Sequence, residues 1–228
     1  MGTIDFQAYY SDADNKSVYT FSDCDFGSID SYRYIIVSIN SRCAGSTPVL
    51  TSVTIGGWAS TLTVNTHHKT HTSLSALAIA KVPSGTTGDV VLTFNKEMVR
   101  AHIGIYRATN VTLTEYDKAE SDAYNPSVSL DVPVGFAIGV ATPGNGTSTW
   151  TGLTETYDVI VEAALGCTSA MTEFEAEEDA RTISINYANS FGEDAALFMS
   201  WEYVEPGGAG GGGGNLNVIG NIEMGSGG

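Results

Sequence analysis

Ser52-Val53-Thr54-Ile55-Gly56-Gly57-Trp58-Ala59-Ser60-Thr61-Leu62-Thr63-Val64 sets the fold class of this chain. Two runs in which apolar and β-branched residues alternate with polar ones flank a glycine pair. Paired glycines supply the positive φ values that a two-residue primed hairpin turn requires, so the stretch predicts two antiparallel strands joined tightly. Downstream, Pro83-Ser84-Gly85-Thr86-Thr87-Gly88-Asp89 separates two strongly apolar runs. Proline fixes φ and glycine admits left-handed geometry, which is the chemistry of a corner where the chain passes from one sheet to another.

The same pattern extends in both directions. Fifteen short runs rich in Val, Ile, Thr, Tyr and Phe, from 4–10 through 32–39, 73–81, 111–116 and 135–142 to 195–201, are punctuated by Gly, Asn, Asp and Pro. Helical periodicity is weak throughout, and 172–181, with Glu173, Glu177 and Glu178, is the single stretch that suits a short helix. Many short strands without crossover helices predict an all-β chain of antiparallel sheets stacked face to face, a β-sandwich of jelly-roll or Ig-like type over residues 1–205. A subdivision near Asn110 is the alternative. It is suggested by charge: residues 1–110 hold eight acids and eight bases, whereas 111–205 hold seventeen acids and only Lys118 and Arg181.

Composition bounds the function. With 228 residues, 42% of them hydrophobic and 16% charged, the chain has material for a sizeable core and does not suit disorder, collagen or coiled coil. A formal charge of −16 repels phosphate backbones and anionic lipid, so neither nucleic acid nor membrane is expected as a partner. Apolar runs such as 34–39 and 74–80 are far short of the ~20 residues of a spanning helix. Met1-Gly2-Thr3-Ile4-Asp5 shows no basic and apolar leader, so synthesis in a cytoplasm without a signal peptide is expected. Cys24, Cys43 and Cys167 have no CxxC spacing and are expected to be small buried hydrophobes.

After Glu205 the composition changes abruptly. Residues 206–228 open with a glycine-rich linker, followed by Asn215-Leu216-Asn217-Val218-Ile219-Gly220-Asn221-Ile222-Glu223-Met224, in which Leu216, Val218, Ile222 and Met224 fall on one face at period two. A lone strand has no ladder partner in water, so these four residues are expected to add to the sheet of a neighbouring molecule.

The chemistry-bearing residues are sparse. His67, His68 and His71 lack the glutamate of a zincin helix, and their threonine neighbours favour extended backbone. Asp12-Ala13-Asp14-Asn15-Lys16 opens like a calcium loop but places a lysine at the third ligand position. No GxSxG elbow is present, and the acidic run Glu173, Glu175, Glu177, Glu178, Asp179 suits a solvated surface. No enzymatic activity, cofactor or metal is therefore expected. Trp58 and Trp150 stand beside turns, where an exposed indole can stack on a sugar ring, while Trp201 lies in an apolar run suited to the core.

The stretch 52–64, the run 77–94 and Gly104-Ile105-Tyr106-Arg107 resemble a group of small β-sandwich proteins encoded among bacteriophage structural genes, with an echo in Trp150-Thr151-Gly152-Leu153-Thr154-Glu155 and Trp201. The resemblance rests on fold and turn residues over about 30–110. It implies a virion component, namely a capsid decoration, head fibre or tail-associated protein, that contacts other virion proteins and forms a homo-oligomer. The alternative function is a carbohydrate-binding, host-recognition module that uses Trp58 and Trp150.

Overall fold

The glycine pair turns as its chemistry requires: Gly56 and Gly57 have φ of 59° and 84°, and Ile55 pairs with Trp58 across them. The computed structural model describes residues 2–45, 49–68, 71–144, 146–161, 165–189 and 194–205. Every strand pairing among them is antiparallel, and the described residues contain no helix.

The first half of the chain supplies β1 (Thr3–Asp12), β2 (Lys16–Asp25), β3 (Arg33–Ala44), β4 (Leu50–Ile55), β5 (Trp58–Ala59), β6 (Thr61–His68), β7 (His71–Lys81), β8 (Thr87–Met98) and β9 (Arg100–Thr109). Their pairing is nested, β1 with β9, β2 with β8, β3 with β7 and β4 with β5, as in a long hairpin rolled up on itself. Two sheets result, ordered β1-β9-β3-β7-β6 and β2-β8-β4-β5, and the corner predicted at 83–89 carries the chain from β7 in one to β8 in the other.

The second half supplies β10 (Asp117–Ser121), β11 (Ser127–Val132), β12 (Gly135–Thr142), β13 (Ser148–Thr151), β14 (Thr154–Val161), β15 (Leu165–Phe174), β16 (Glu178–Tyr187) and β17 (Ala195–Glu202). Its sheets, β10-β17-β12-β15-β14 and β11-β16-β13, repeat the order of the first pair except that the two-residue β5 has no counterpart. The nesting recurs as β10 with β17, β11 with β16 and β12 with β15. All strands up to Thr109 lie in the first pair of sheets and all from Asp117 in the second.

The four sheets stack as outer, inner, inner, outer, and burial shows why. One core joins the first two sheets through residues such as Tyr19, Phe26, Ile35, Ile39, Leu92 and Ile103, and another joins the last two through Leu130, Trp150, Ile183, Tyr187 and Phe198. A third lies between the inner sheets, where Ile36, Leu77, Ile79 and Tyr106 meet Phe136, Ile138, Leu197, Met199 and Trp201. The outer strands β8, β11 and β13 alternate buried with open positions, as a half-solvated sheet requires, whereas β12 is buried along its whole length and β17 at every residue but Glu202. Burying each large apolar side chain of that middle seam contributes about 1.5–3 kcal/mol.

A polar network fixes the register of the seam. Tyr157 on β14 reaches into the first half, where its hydroxyl lies 2.9 Å from Ser38 Oγ and donates to Asn40 Oδ1 at 3.1 Å. Asn40 Nδ2 then donates back to the carbonyl of Ala141 at 2.7 Å and to Thr142 Oγ1 at 2.9 Å. The Tyr157 ring lies against Gly104, where a Cβ would stand 2.5 Å from it.

Two sequence expectations need correction. Residues 172–181 form no helix; they are the end of β15, a corner at 175–177 and the start of β16, the counterpart of the corner at 83–89. Buried Ile183, Ile185 and Tyr187 continue a period-two pattern that extends β16 backwards, and Arg181 covers Phe174 with its guanidinium 4.8 Å from the ring centroid. Residues 111–116 are the connection between the halves, with one bridge from Val111 to Tyr203, and the strand begins later at Asp117. That strand, Asp117-Lys118-Ala119-Glu120-Ser121, is polar because it lies at a sheet edge, where charge discourages unwanted pairing. The four-residue β13 is the other strand the pattern does not announce.

Arg33 is buried and clamps the first corner. Its guanidinium donates to the carbonyls of Val82 at 2.7 Å, Ser84 at 3.0 Å and Gly85 at 2.6 Å, and to those of Gly27 and Ser28, both at 3.1 Å. Lysine carries three donors on one atom and cannot reproduce this fork. Arg33→Lys is therefore expected to destabilise the protein by about 3 kcal/mol, since several buried carbonyls lose their donors, and a urea unfolding midpoint measures it.

Candidate functional site

The two tryptophans singled out beside turns have opposite fates. Trp58 follows the glycine turn and is 51% exposed. Trp150, 8% exposed, is in the second-half core, with its Nε1 donating to Thr168 Oγ1 at 2.7 Å and its ring edge-on to Phe198. Its indole offers no face to a sugar, which removes it as a stacking residue. Trp201 is buried in the seam, stacked on Phe136. Leu216, Val218, Ile222 and Met224, the residues assigned to strand addition, lie outside the described residues.

The remaining polar clusters are mostly structural. Lys16 Nζ lies 2.6 Å from Asp12 and 3.0 Å from Asp14, so an ammonium stands where the calcium-like spacing would put an ion. His67 and His68 lie on β6 and His71 on the neighbouring β7, extended as the threonines suggest. The acidic run is put to use locally: Glu173 Oε1 accepts from the Ile4 amide at 3.1 Å and from the Tyr203 hydroxyl, tying β15 to the first strand and the end of the last. Glu177 accepts from Tyr116 at 2.7 Å, and Glu178 pairs with Arg181 at 2.5 Å. Cys24, Cys43 and Cys167 are buried thiols, and burial raises the Cys24 thiol to about 12, far from a reactive thiolate. Among the described residues no group of three or more His, Cys, Asp or Glu is placed to hold a metal.

The sequence pattern gave no sign of His102. It is buried between the rings of Tyr9 and Tyr157, with Nδ1 2.8 Å from Ser11 Oγ. Burial lowers its pKa to about 3, so the imidazole is neutral at physiological pH.

Among the described residues, two concave regions that open to solvent stand out. The larger, about 690 Å³, lies where the connection 110–116 passes the ends of β7 and β17, and Tyr32, Tyr34, Lys81, Leu113, Tyr116 and Glu202 line it. Backbone bonds build its walls: Asn110 N donates to the Tyr32 carbonyl at 3.2 Å, Thr112 N to Glu202 O at 3.1 Å, Tyr116 N to Ser200 O at 2.8 Å and Val204 N to Asn110 O at 2.8 Å. Asn110 itself adopts a positive φ of 52°, a conformation asparagine tolerates better than most residues, and this turns the chain out of β9. The smaller, about 440 Å³, is a depression at the glycine turn that includes Trp58 and Asp89. Sequence reasoning missed the larger groove, since its residues come from four separate segments; the available signal was the tyrosines set among Asp, Ser and Glu in connections.

No protein-family model matches the chain, and neither a curated protein nor a solved structure is significantly similar to it.

The burial contrast gives a direct test. Trp150→Ala is expected to cost about 3–5 kcal/mol in a denaturant titration, through cavity formation and loss of the buried hydrogen bond to Thr168, whereas Trp58→Ala stays within about 0.5 kcal/mol. His102 sets a pH dependence. With its pKa lowered from 6.5 to about 3 on folding, it contributes stability that is fully present above pH 6.5 and is lost as the pH falls towards 3. Melting temperatures recorded across that window should decline on acidification, and less steeply in His102→Gln.

Proposed function

We propose that this chain is a non-enzymatic structural component of a phage virion, a capsid decoration, head fibre or tail-associated protein that works by packing against copies of itself and other virion proteins. In this reading each half is a jelly roll, and the observation that carries it is the nested strand pairing, repeated in both halves. The orders β1-β9-β3-β7 against β2-β8-β4-β5, and β10-β17-β12-β15 against β11-β16-β13, support the jelly-roll form over the Ig-like one. Jelly rolls recur in viral capsid proteins and in lectins, so the architecture favours these two settings by analogy. The resemblance of 30–110 to phage β-sandwich proteins favours the first. The acidic excess after Asn110 suits a surface that faces solvent or a basic neighbour, and repels nucleic acid and anionic membrane.

Assembly is assigned to the sandwich faces and to strand addition by Leu216, Val218, Ile222 and Met224, tethered through the glycine linker. A second reading, a carbohydrate-binding module, is favoured by exposed aromatic rings beside concave surface at Trp58 and in the larger groove.

Truncation after Glu205 tests the assembly role. The shortened chain is expected to keep its circular dichroism spectrum and melting transition while light scattering shows a smaller particle than the full chain forms. Equal mass for the two chains at equal concentration, with equal attachment to particles, would sink strand addition.

A further inference from the structure

We infer that the groove at the junction of the two halves binds a neutral oligosaccharide. The inference rests on the second reading above and moves the sugar site away from the tryptophans.

Three of the large exposed apolar side chains converge on this groove. Tyr32 is 46% exposed, Leu113 45% and Tyr116 44%, with Tyr34 beside them. Apolar residues scattered singly over a surface need no explanation, but rings gathered in one concavity mark a contact site. The segments that carry these rings are also held in place. The Tyr116 hydroxyl donates to Glu177 at 2.7 Å. Tyr32 is fixed through its backbone, its amide donating to Asp30 Oδ1 at 2.7 Å and its carbonyl accepting from Asn110. Rigid aromatic platforms lose little conformational entropy on binding, which is how tyrosine-rich recognition surfaces work.

The polar groups select the ligand class. Lys81 lines the groove with its Nζ 5.7 Å above the Tyr32 ring, and among the described residues no carboxylate pairs with it. Glu115, Glu202 and Glu205 bring carboxylates to the same walls. An ammonium beside three carboxylates offers hydrogen-bond donors and acceptors to hydroxyl groups. The excess of acid repels sulfated and sialylated sugars, and Lys81 opposes a polycation. A neutral saccharide matches this set, with the C–H faces of its rings on Tyr32 and Tyr116 and its hydroxyls on Lys81 and Glu202. A volume of about 690 Å³ falls within the ~300–1,000 Å³ of small-ligand sites.

The test is a printed array of neutral, amino and anionic glycans probed with the full chain, followed by calorimetric titration of the strongest soluble neutral trisaccharide on the array. Tyr32→Ala and Tyr116→Ala are each expected to weaken binding by about tenfold, the equivalent of one aromatic stacking contact. Tyr32→Phe retains it, because the ring face is kept. Trp58→Ala leaves it unchanged, and melting curves confirm that the variants fold. Binding lost in Trp58→Ala and kept in both tyrosine variants overturns the groove while leaving sugar recognition standing. A preference for sialylated or sulfated glycans overturns the neutral class. A silent array removes both the groove assignment and the carbohydrate reading. Stronger tyrosine nitration in the chain truncated after Glu205, unaffected by sugar, assigns the groove to residues 206–228 instead and overturns the proposal.

Discussion

The mutual burial of the two inner sheets is the constraint on which the rest of the molecule depends. An antiparallel sheet in a single sandwich has one dry face and one wet face. Here β3, β7, β9, β12 and β17 carry buried residues on both. Ile36, Leu77, Ile79, Phe136, Leu197, Met199 and Trp201 would form large water-exposed apolar faces if the halves were separated, far beyond what a soluble surface carries. The Tyr157–Ser38–Asn40–Ala141 network then permits one register, because each buried polar atom in it finds its partner only there. Non-directional burial holds the halves together, and the hydrogen bonds choose how.

This seam also creates the groove. The connection from Asn110 to Tyr116 must cross from one half to the other without entering the buried seam, so it runs over its end and hydrogen-bonds to Tyr32 on one side and to Ser200 and Glu202 on the other. The concavity and its exposed tyrosines follow from that crossing. A site between two rigid layers is held more precisely than one on a free loop. The residues that could contact a ligand are therefore set by the same packing that sets the fold.

Much of the fold was legible in the sequence, for physical reasons that can be assigned to residues. Gly56-Gly57 announced its turn because only glycine adopts two successive positive φ values without cost, and Pro83–Asp89 announced a corner for similar reasons. Doubly buried strands leave their own mark, the predominantly apolar runs 34–39, 135–142 and 195–201, in contrast to the alternation of 89–94 and 182–187. Each run is too short for a membrane-spanning helix, and their recurrence in both halves is the trace of the central seam. The helix at 172–181 failed because glutamate spacing carries less weight than the period-two burial of Ile183, Ile185 and Tyr187. The β10 strand was hidden since edge strands can be polar. The exposure of Trp58 was legible beside its turn, whereas Trp150 misled because a turn-side position says nothing about which way the next strand faces. The groove and His102 depend on contacts between distant segments, which no local pattern records.

Hydrogen exchange followed along a urea series tests the central seam most directly. If the inner sheets stabilise each other as described, amides of β3 in the first half and β12 in the second lose protection together, at one urea concentration and with one free energy of opening. Separate loss, with one half still protected while the other exchanges as an unfolded chain, would contradict the account.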